Sequence, residues 1–190
     1  LRVIADAHGL AVHCDGARIW HAHVADGVPL AAYGRLCDTV MVSLSKGLGA
    51  PGGSLVIGSA ELIARARVLR KRLGGGMRQV GILAAAGRYA LAHHVDRLAD
   101  DHARARQLAE ALAPFGVVDP ATVRTNIVLL ALPAHVDGPA FAAAAAAEGV
   151  LVSLMEPGLA RLVTHLDVDD AGVDRALTAI RAALTARNRM

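Results

Sequence analysis

At 190 residues, 54% of them apolar and 19% charged, the chain is long enough to bury roughly 70% of its unfolded surface, a substantial core for one domain or one and a fraction. Its net charge of +3 is small, and the arginines are spread along predicted helix faces with acids between them, so neither nucleic acid nor a membrane surface is indicated as a partner. Two cysteines give no disulfide framework and no metal-ligand spacing, which points to a reducing, cytoplasmic setting.

The predicted elements alternate. Leu1 already lies inside an amphipathic helix that Gly9 closes, so the chain reads as the later portion of a longer protein. The apolar run at 10–12 opens a strand that ends at Cys14 and Asp15, and a helix follows from about Ala17. Strands are expected at 39–44 and 53–57, then a helix from Ser59 or Ala60 to about Leu73, broken by Gly74, Gly75 and Gly76. A long amphipathic helix is expected over 79–112, stopped by Pro114 and Gly116. Strands near 126–132, 150–154 and 162–165 then interleave with helices near 138–148 and 171–186, the pattern of a small α+β domain. The alanine run at 142–147 is too short to span a membrane, which takes about 18 apolar residues or more, and reads as a buried helix.

Two residues stand out for their chemistry. Lys46 sits at the end of the second strand in a glycine-rich turn. A lysine amine, with an ordinary pKa of about 10.4, becomes a nucleophile only when burial, a neighbouring cation or Schiff-base formation changes its state. The glycines let a bulky ligand lie against the backbone. Asp15 ends the strand before it. Ligands of parallel α/β sheets bind beyond the carboxyl ends of strands, so the amine and the carboxylate are expected to face one crevice. Pyridoxal phosphate needs that pair: an amine to bind its aldehyde, and a carboxylate to keep its pyridine nitrogen protonated. The structural alternatives are a surface lysine in a tight turn, and Asp15 as the N-cap of the helix from Ala17. Cys14 should point to the opposite sheet face and pack there. No metal site is expected, since His21 and His23 diverge on a helix and His93 and His94 are adjacent.

Four ordered motifs carry a resemblance: Asp15-Gly-Ala-Arg-Ile-Trp, Ser43-Leu-Ser-Lys-Gly-Leu-Gly-Ala-Pro, Lys71-Arg-Leu-Gly-Gly-Gly-Met-Arg-Gln, and Arg161-Leu-Val-Thr-His-Leu-Asp. Together they resemble the low-specificity threonine aldolases, within the beta-eliminating lyase and threonine aldolase family of fold-type-I pyridoxal-phosphate enzymes. The likeness runs over nearly the whole chain but corresponds to the later part of the family's sequence. The family's phosphate-binding loop, ring-stacking histidine and candidate base belong to its earlier part. Trp20 stands where a smaller side chain or phenylalanine is frequent, and Gly52 where an apolar residue is usual.

The resemblance implies an α/β fold. Residues 1–114 would be the end of the large-domain mixed or mostly parallel sheet plus a long connecting helix, and residues 115–190 a small α+β domain. It implies Lys46 as the catalytic, cofactor-bearing lysine, with Asp15, Arg18, Ser43 and Arg78 also on pyridoxal 5'-phosphate. Arg18, Lys71 and Arg161 would meet the substrate. The Ser43 assignment sits awkwardly with strand alternation, which sends Ser43 and Ser45 together and away from Lys46. His165 is expected to be packed, or to support Arg161. The implied reaction is cleavage of L-threonine or L-allo-threonine to glycine and acetaldehyde by a homodimer or homotetramer. The alternatives are another fold-type-I lyase catalysing β-elimination, or a non-catalytic chain that only oligomerises.

Overall fold

The computed structural model describes residues 1–186. The chain folds as two compact units, Leu1–Leu98 and the part from Ala99 onward. Residues 187–190 of the expected second domain lie outside the described residues. The cut falls ahead of the division expected after residue 114, because Ala105, Leu108, Ala109 and Leu112 of the intervening helix join the core of the second unit.

The first unit contains α1 (Arg2–Ala7), β1 (His13–Gly16), α2 (Ile19–Asp26), α3 (Leu30–Arg35), β2 (Thr39–Ser43), β3 (Ser54–Gly58), α4 (Ala60–Arg72) and α5 (Gly81–His93). Its three strands lie in the order β1-β2-β3. β1 and β2 are parallel, with Cys14 opposite Val40 and Asp15 opposite Met41. β3 returns antiparallel to β2, with Ser43 opposite Ser54. Alternation then sorts the two faces. Val40 and Val42 are buried with Ile19 on one side, where Cys14, Trp20 and Cys37 pack against them, as expected for Cys14. Burial and the adjacent Cys37 push the Cys14 thiol pKa up. Asp15, Met41 and Ser43 take the opposite face.

Besides β1, which starts at His13 rather than in the apolar run at 10–12, two local features differ from the sequence reading. The helix expected from Ala17 is two helices, because Gly27 adopts φ 67° at the end of α2 and Pro29 opens α3. Left-handed φ is a low-cost conformation only for glycine, and proline suits a helix start. The single helix expected over 79–112 is also broken. α5 ends at His93, and α6 (Leu98–Leu112) begins after a turn. Instead of continuing the helix, His94 directs its ring to the carbonyl of Leu48.

The second unit holds α6 from Ala99 onward, β4 (Ile127–Ala131), α7 (Gly138–Ala147), β5 (Ser153–Glu156), β6 (Leu159–Val163) and α8 (Asp170–Thr185). The sheet is antiparallel in the order β4-β6-β5. Val128 and Leu130 of β4 and Ala160 and Leu162 of β6 face one core with Phe141, Val173, Leu177 and Ile180. The last two strands overlap the expected 150–154 and 162–165 only in part, since Pro157 and Gly158, with φ 79°, turn β5 directly into β6. α7 is capped by Asp137, which accepts from the Ala140 amide at 2.9 Å. Only Phe141 and Ala145 of α7 are buried, so most of the alanine run faces outward, held by helix propensity rather than by burial.

Candidate active site

β2 leaves its ladder after Ser43, and the chain bends through Leu44, Ser45 and Lys46 before turning at Gly47 and Leu48. Three backbone bonds fix this loop: the Leu44 amide to the Gly53 carbonyl at 3.0 Å, the Gly49 amide to Lys46 at 2.9 Å, and the Ala50 amide to Leu44 at 3.0 Å. Leu44 and Leu48 point inward, with Leu48 fully buried beside Ala90 and Leu98. Lys46 points out. It lines an open groove of about 370 Å³ together with Met41, Ser43, Ser45, Gly53 and Ser54.

Ser43, Ser45 and Lys46 therefore share one groove, against the expectation that alternation separates them. The period of two holds only while the chain is a strand, and the bend starts at Leu44. The Ser43 and Ser45 hydroxyl oxygens are 3.5 Å apart. Asp15, in register with Met41, lies on the same sheet face one strand over. One carboxylate oxygen accepts the Ala17 amide at 3.0 Å. This is a turn across two residues rather than the N-cap that was the structural alternative for Asp15, because α2 starts only at Ile19.

The remaining candidates are placed as follows. Arg18 is half-buried in the turn before α2. Lys71 and Arg78 are exposed on either side of the glycine turn, and neither lines the Lys46 groove. A side chain at Gly76 would collide with the stem of Lys71, so the turn carries that lysine folded against it. Lys71 also belongs to the basic last turn of α4 with Arg70 and Arg72, where cations complement the helix dipole. In the second unit, Arg161 is half-buried on β6, and its Nε is buried with no hydrogen-bond partner. An unpartnered guanidinium nitrogen is costly unless an acceptor arrives. His165 is exposed rather than packed, with Nδ1 3.3 Å from the Asp167 amide.

Several residues around Lys46 escaped sequence reasoning. Trp20 donates its indole N–H to the Ser43 carbonyl at 2.8 Å. His94 Nδ1 lies 2.6 Å from the Leu48 carbonyl. His21, only 1% exposed, packs so closely under Gly47 that a Cβ there would overlap its imidazole. Gly87 lets α5 approach Leu44, whose side chain would lie 2.8 Å from an added Cβ. Ser54 enters the groove by its register with Ser43. All of these are tertiary contacts, and the sole sequence signal was the unusual Trp20.

Residues 1–135 match the model of the beta-eliminating lyase family. The chain belongs to that family. It is 45% identical over 159 residues to the low specificity L-threonine aldolase of Escherichia coli strain K12, covering 84% of this chain and 46% of that protein. It is 38% identical over 188 residues to low-specificity L-threonine aldolase 1 of Arabidopsis thaliana, covering 95% of this chain and 52% of that protein. The chain thus spans about half the length of the curated relatives it matches. Among solved structures, the threonine aldolase of Leishmania major superposes with a TM-score of 0.74 at 20% identity, over 97% of this chain and 55% of that one. The N-acetylornithine aminotransferase of Stenotrophomonas maltophilia superposes with a TM-score of 0.67 at 23% identity, over 96% and 49%. These likenesses show the fold, the α/β arrangement of fold-type-I pyridoxal-phosphate enzymes. Among the described residues no helix is long and apolar enough to cross a membrane, and no group of three or more His, Cys, Asp or Glu side chains could hold a metal ion.

Proposed function

We propose that the chain serves a pyridoxal-phosphate-dependent aldehyde-lyase that cleaves L-threonine or L-allo-threonine to glycine and acetaldehyde. The observation that carries this reading is Lys46, presented to a groove on the sheet face that also bears Asp15, in a chain whose relatives are named threonine aldolases. The donor set fits the cofactor: an amine for its aldehyde, a carboxylate for its ring nitrogen, and a hydroxyl pair beside the amine for its phosphate. When bound, the cofactor supplies an electron sink for the pair released as the Cα–Cβ bond breaks.

The chain's own groups hold and orient. Lys46 carries the cofactor, and Asp15 keeps a proton on the ring nitrogen. Ser43 serves the phosphate from within the groove; Arg78, which lies outside it, is assigned to the phosphate on the family resemblance. Arg18 meets the phenolic oxygen or the substrate carboxylate, for which a guanidinium is suited by its permanent charge and planar fork. Arg161, with its unpartnered Nε, and Lys71 serve the substrate carboxylate. The same proposal includes self-association as a homodimer or homotetramer and a cytoplasmic location. In favour of self-association, Leu73, Met77, Val80 and Ile82 expose 85%, 59%, 47% and 83% of their surface around the glycine turn, more apolar area in one stretch than scattered surface residues explain.

The test is to add pyridoxal phosphate to the wild-type chain and to Lys46→Ala, then supply L-threonine or L-allo-threonine. Wild type is expected to show lysine-dependent visible absorbance and to release acetaldehyde, and Lys46→Ala to lose both. Absorbance that survives Lys46→Ala would remove the reading. Turnover of cysteine or tryptophan without acetaldehyde would replace it with β-elimination.

A further inference from the structure

We propose that Trp20 and His94 are positioning residues for Lys46, holding the two ends of its turn by side-chain donors where the strand ladder has stopped. The inference rests on the reading of Lys46 as the cofactor-bearing lysine. Ser43 is the last residue of β2, and its carbonyl accepts the Trp20 indole N–H at 2.8 Å. Leu48 is fully buried, and its carbonyl accepts from His94 Nδ1 at 2.6 Å. A carbonyl only accepts, so Nδ1 carries the proton and the tautomer of His94 is set by this contact.

The two donors come from separate elements that the fold brings to the same loop. Trp20 stands in the first turn of α2. His94 is the C-cap of α5, its ring edge-on to Tyr89 with centroids 5.6 Å apart at 86°. Between the two anchored carbonyls, His21 fills the space under Gly47, leaving no room for the turn to settle inward. Lys46 thereby gains a fixed base and an exposed tip. A group that must form one bond in one orientation needs that division, since loss of fixed geometry at a reacting atom is costly in rate.

Hydrogen exchange of the whole chain without cofactor tests the inference, using wild type, His94→Leu, His94→Asn and Trp20→Phe. Asparagine is the informative replacement because its Nδ2, like Nδ1 of histidine, is bonded to Cγ and can donate from the same place. A net side-chain hydrogen bond of ordinary strength predicts amides of residues 44–50 exchanging about fivefold to tenfold faster in His94→Leu and Trp20→Phe. They should return close to wild type in His94→Asn, with the β4-β6 ladder unchanged throughout. Equal turn exchange in wild type and His94→Leu would overturn the proposal, as would equal acceleration in His94→Leu and His94→Asn. Should His94→Leu lose protection throughout the first unit, His94→Asn decides alone: a protected turn supports the donor role, an unprotected one ends it.

A second readout separates this inference from the proposed function. After incubation with pyridoxal phosphate and borohydride reduction, peptide mass spectrometry gives the fraction of Lys46 modified. Modification is expected to fall in His94→Leu and recover in His94→Asn. No modification of Lys46 in wild type removes the covalent reading and, with it, any positioning role. Modification equal in wild type and His94→Leu overturns the positioning role while the covalent reading stands.

Discussion

The two units dispose of their apolar residues in opposite ways. In the second, alternate positions of β4 and β6 and one stripe of α8 converge on a single cluster in which Val128, Leu130, Ala160, Val173 and Ile180 are fully buried. In the first, the buried apolar residues form two small clusters, and β3 leaves Leu55, Val56 and Ile57 exposed at 45%, 50% and 52%. Successive residues of a strand face opposite sides, so this strand is uncovered on both faces among the described residues. The lesson is that the better-packed unit is not the one bearing Lys46. The lysine turn is ordered by a few specific polar and steric contacts rather than by a deep core.

The largest effect that could break this contrast is a cavity. Phe141→Ala is expected to cost about 3–5 kcal/mol, as large-to-small core changes do, because Phe141 is 2% exposed in the second core. Ile57→Ala on β3 is expected to stay within about 0.5 kcal/mol, the range of surface changes. Urea unfolding followed by far-ultraviolet circular dichroism measures both. The single tryptophan, Trp20, reports on the first unit, so its fluorescence should change at lower urea than the midpoint of the far-ultraviolet dichroism, which sums both units. Coincident transitions, or equal costs for the two variants, would show that the units share one stability.

A smaller effect sharpens the contrast at the site. Gly47→Ala would drive a methyl group into the His21 imidazole, and overpacking of this kind costs about 1–3 kcal/mol. The Trp20 fluorescence transition should move by that amount, and the signal of the second unit should stay in place. If instead Gly47→Ala is neutral, His21 yields easily and the floor of the lysine turn is soft.

The sequence made the scaffold legible where one local rule decided the outcome. Alternation identified the strand before Lys46 and placed Cys14 on the packed face, and Ser59 marked the start of α4. That Asp15 and Lys46 lie toward one face of the sheet was also legible, from the strand ends they occupy. What stayed hidden depends on contacts distant in sequence. The break after His93 answers to the Leu48 carbonyl, far back in the chain. Ser45 belongs to the groove because the strand ends one residue earlier than its pattern suggests. The β5-β6 turn was written in Pro157 and Gly158, yet the apolar residues flanking it drew the predicted strands outward.

The smallest expected effect concerns acid sensitivity of the better-packed unit. His102, on α6, is 8% exposed, and burial lowers its pKa from the ordinary 6.5; Asp101 opposes that shift and Arg106 adds to it. The folded state therefore binds a proton less readily than the unfolded state. Between the lowered folded value and 6.5 the unfolded chain holds more protons, so stability rises with pH across that window. The stability linked to this group is fully present above the unfolded pKa and is lost as pH falls through the window toward the folded one. His102→Gln removes the titration, and unfolding curves of the second unit should then be flatter between pH 6.5 and the acid side. A slope unchanged by the substitution would assign the acid sensitivity to carboxylates instead, whose window lies lower. A slope of opposite sign would mean that His102 gains a partner on protonation that outweighs its burial.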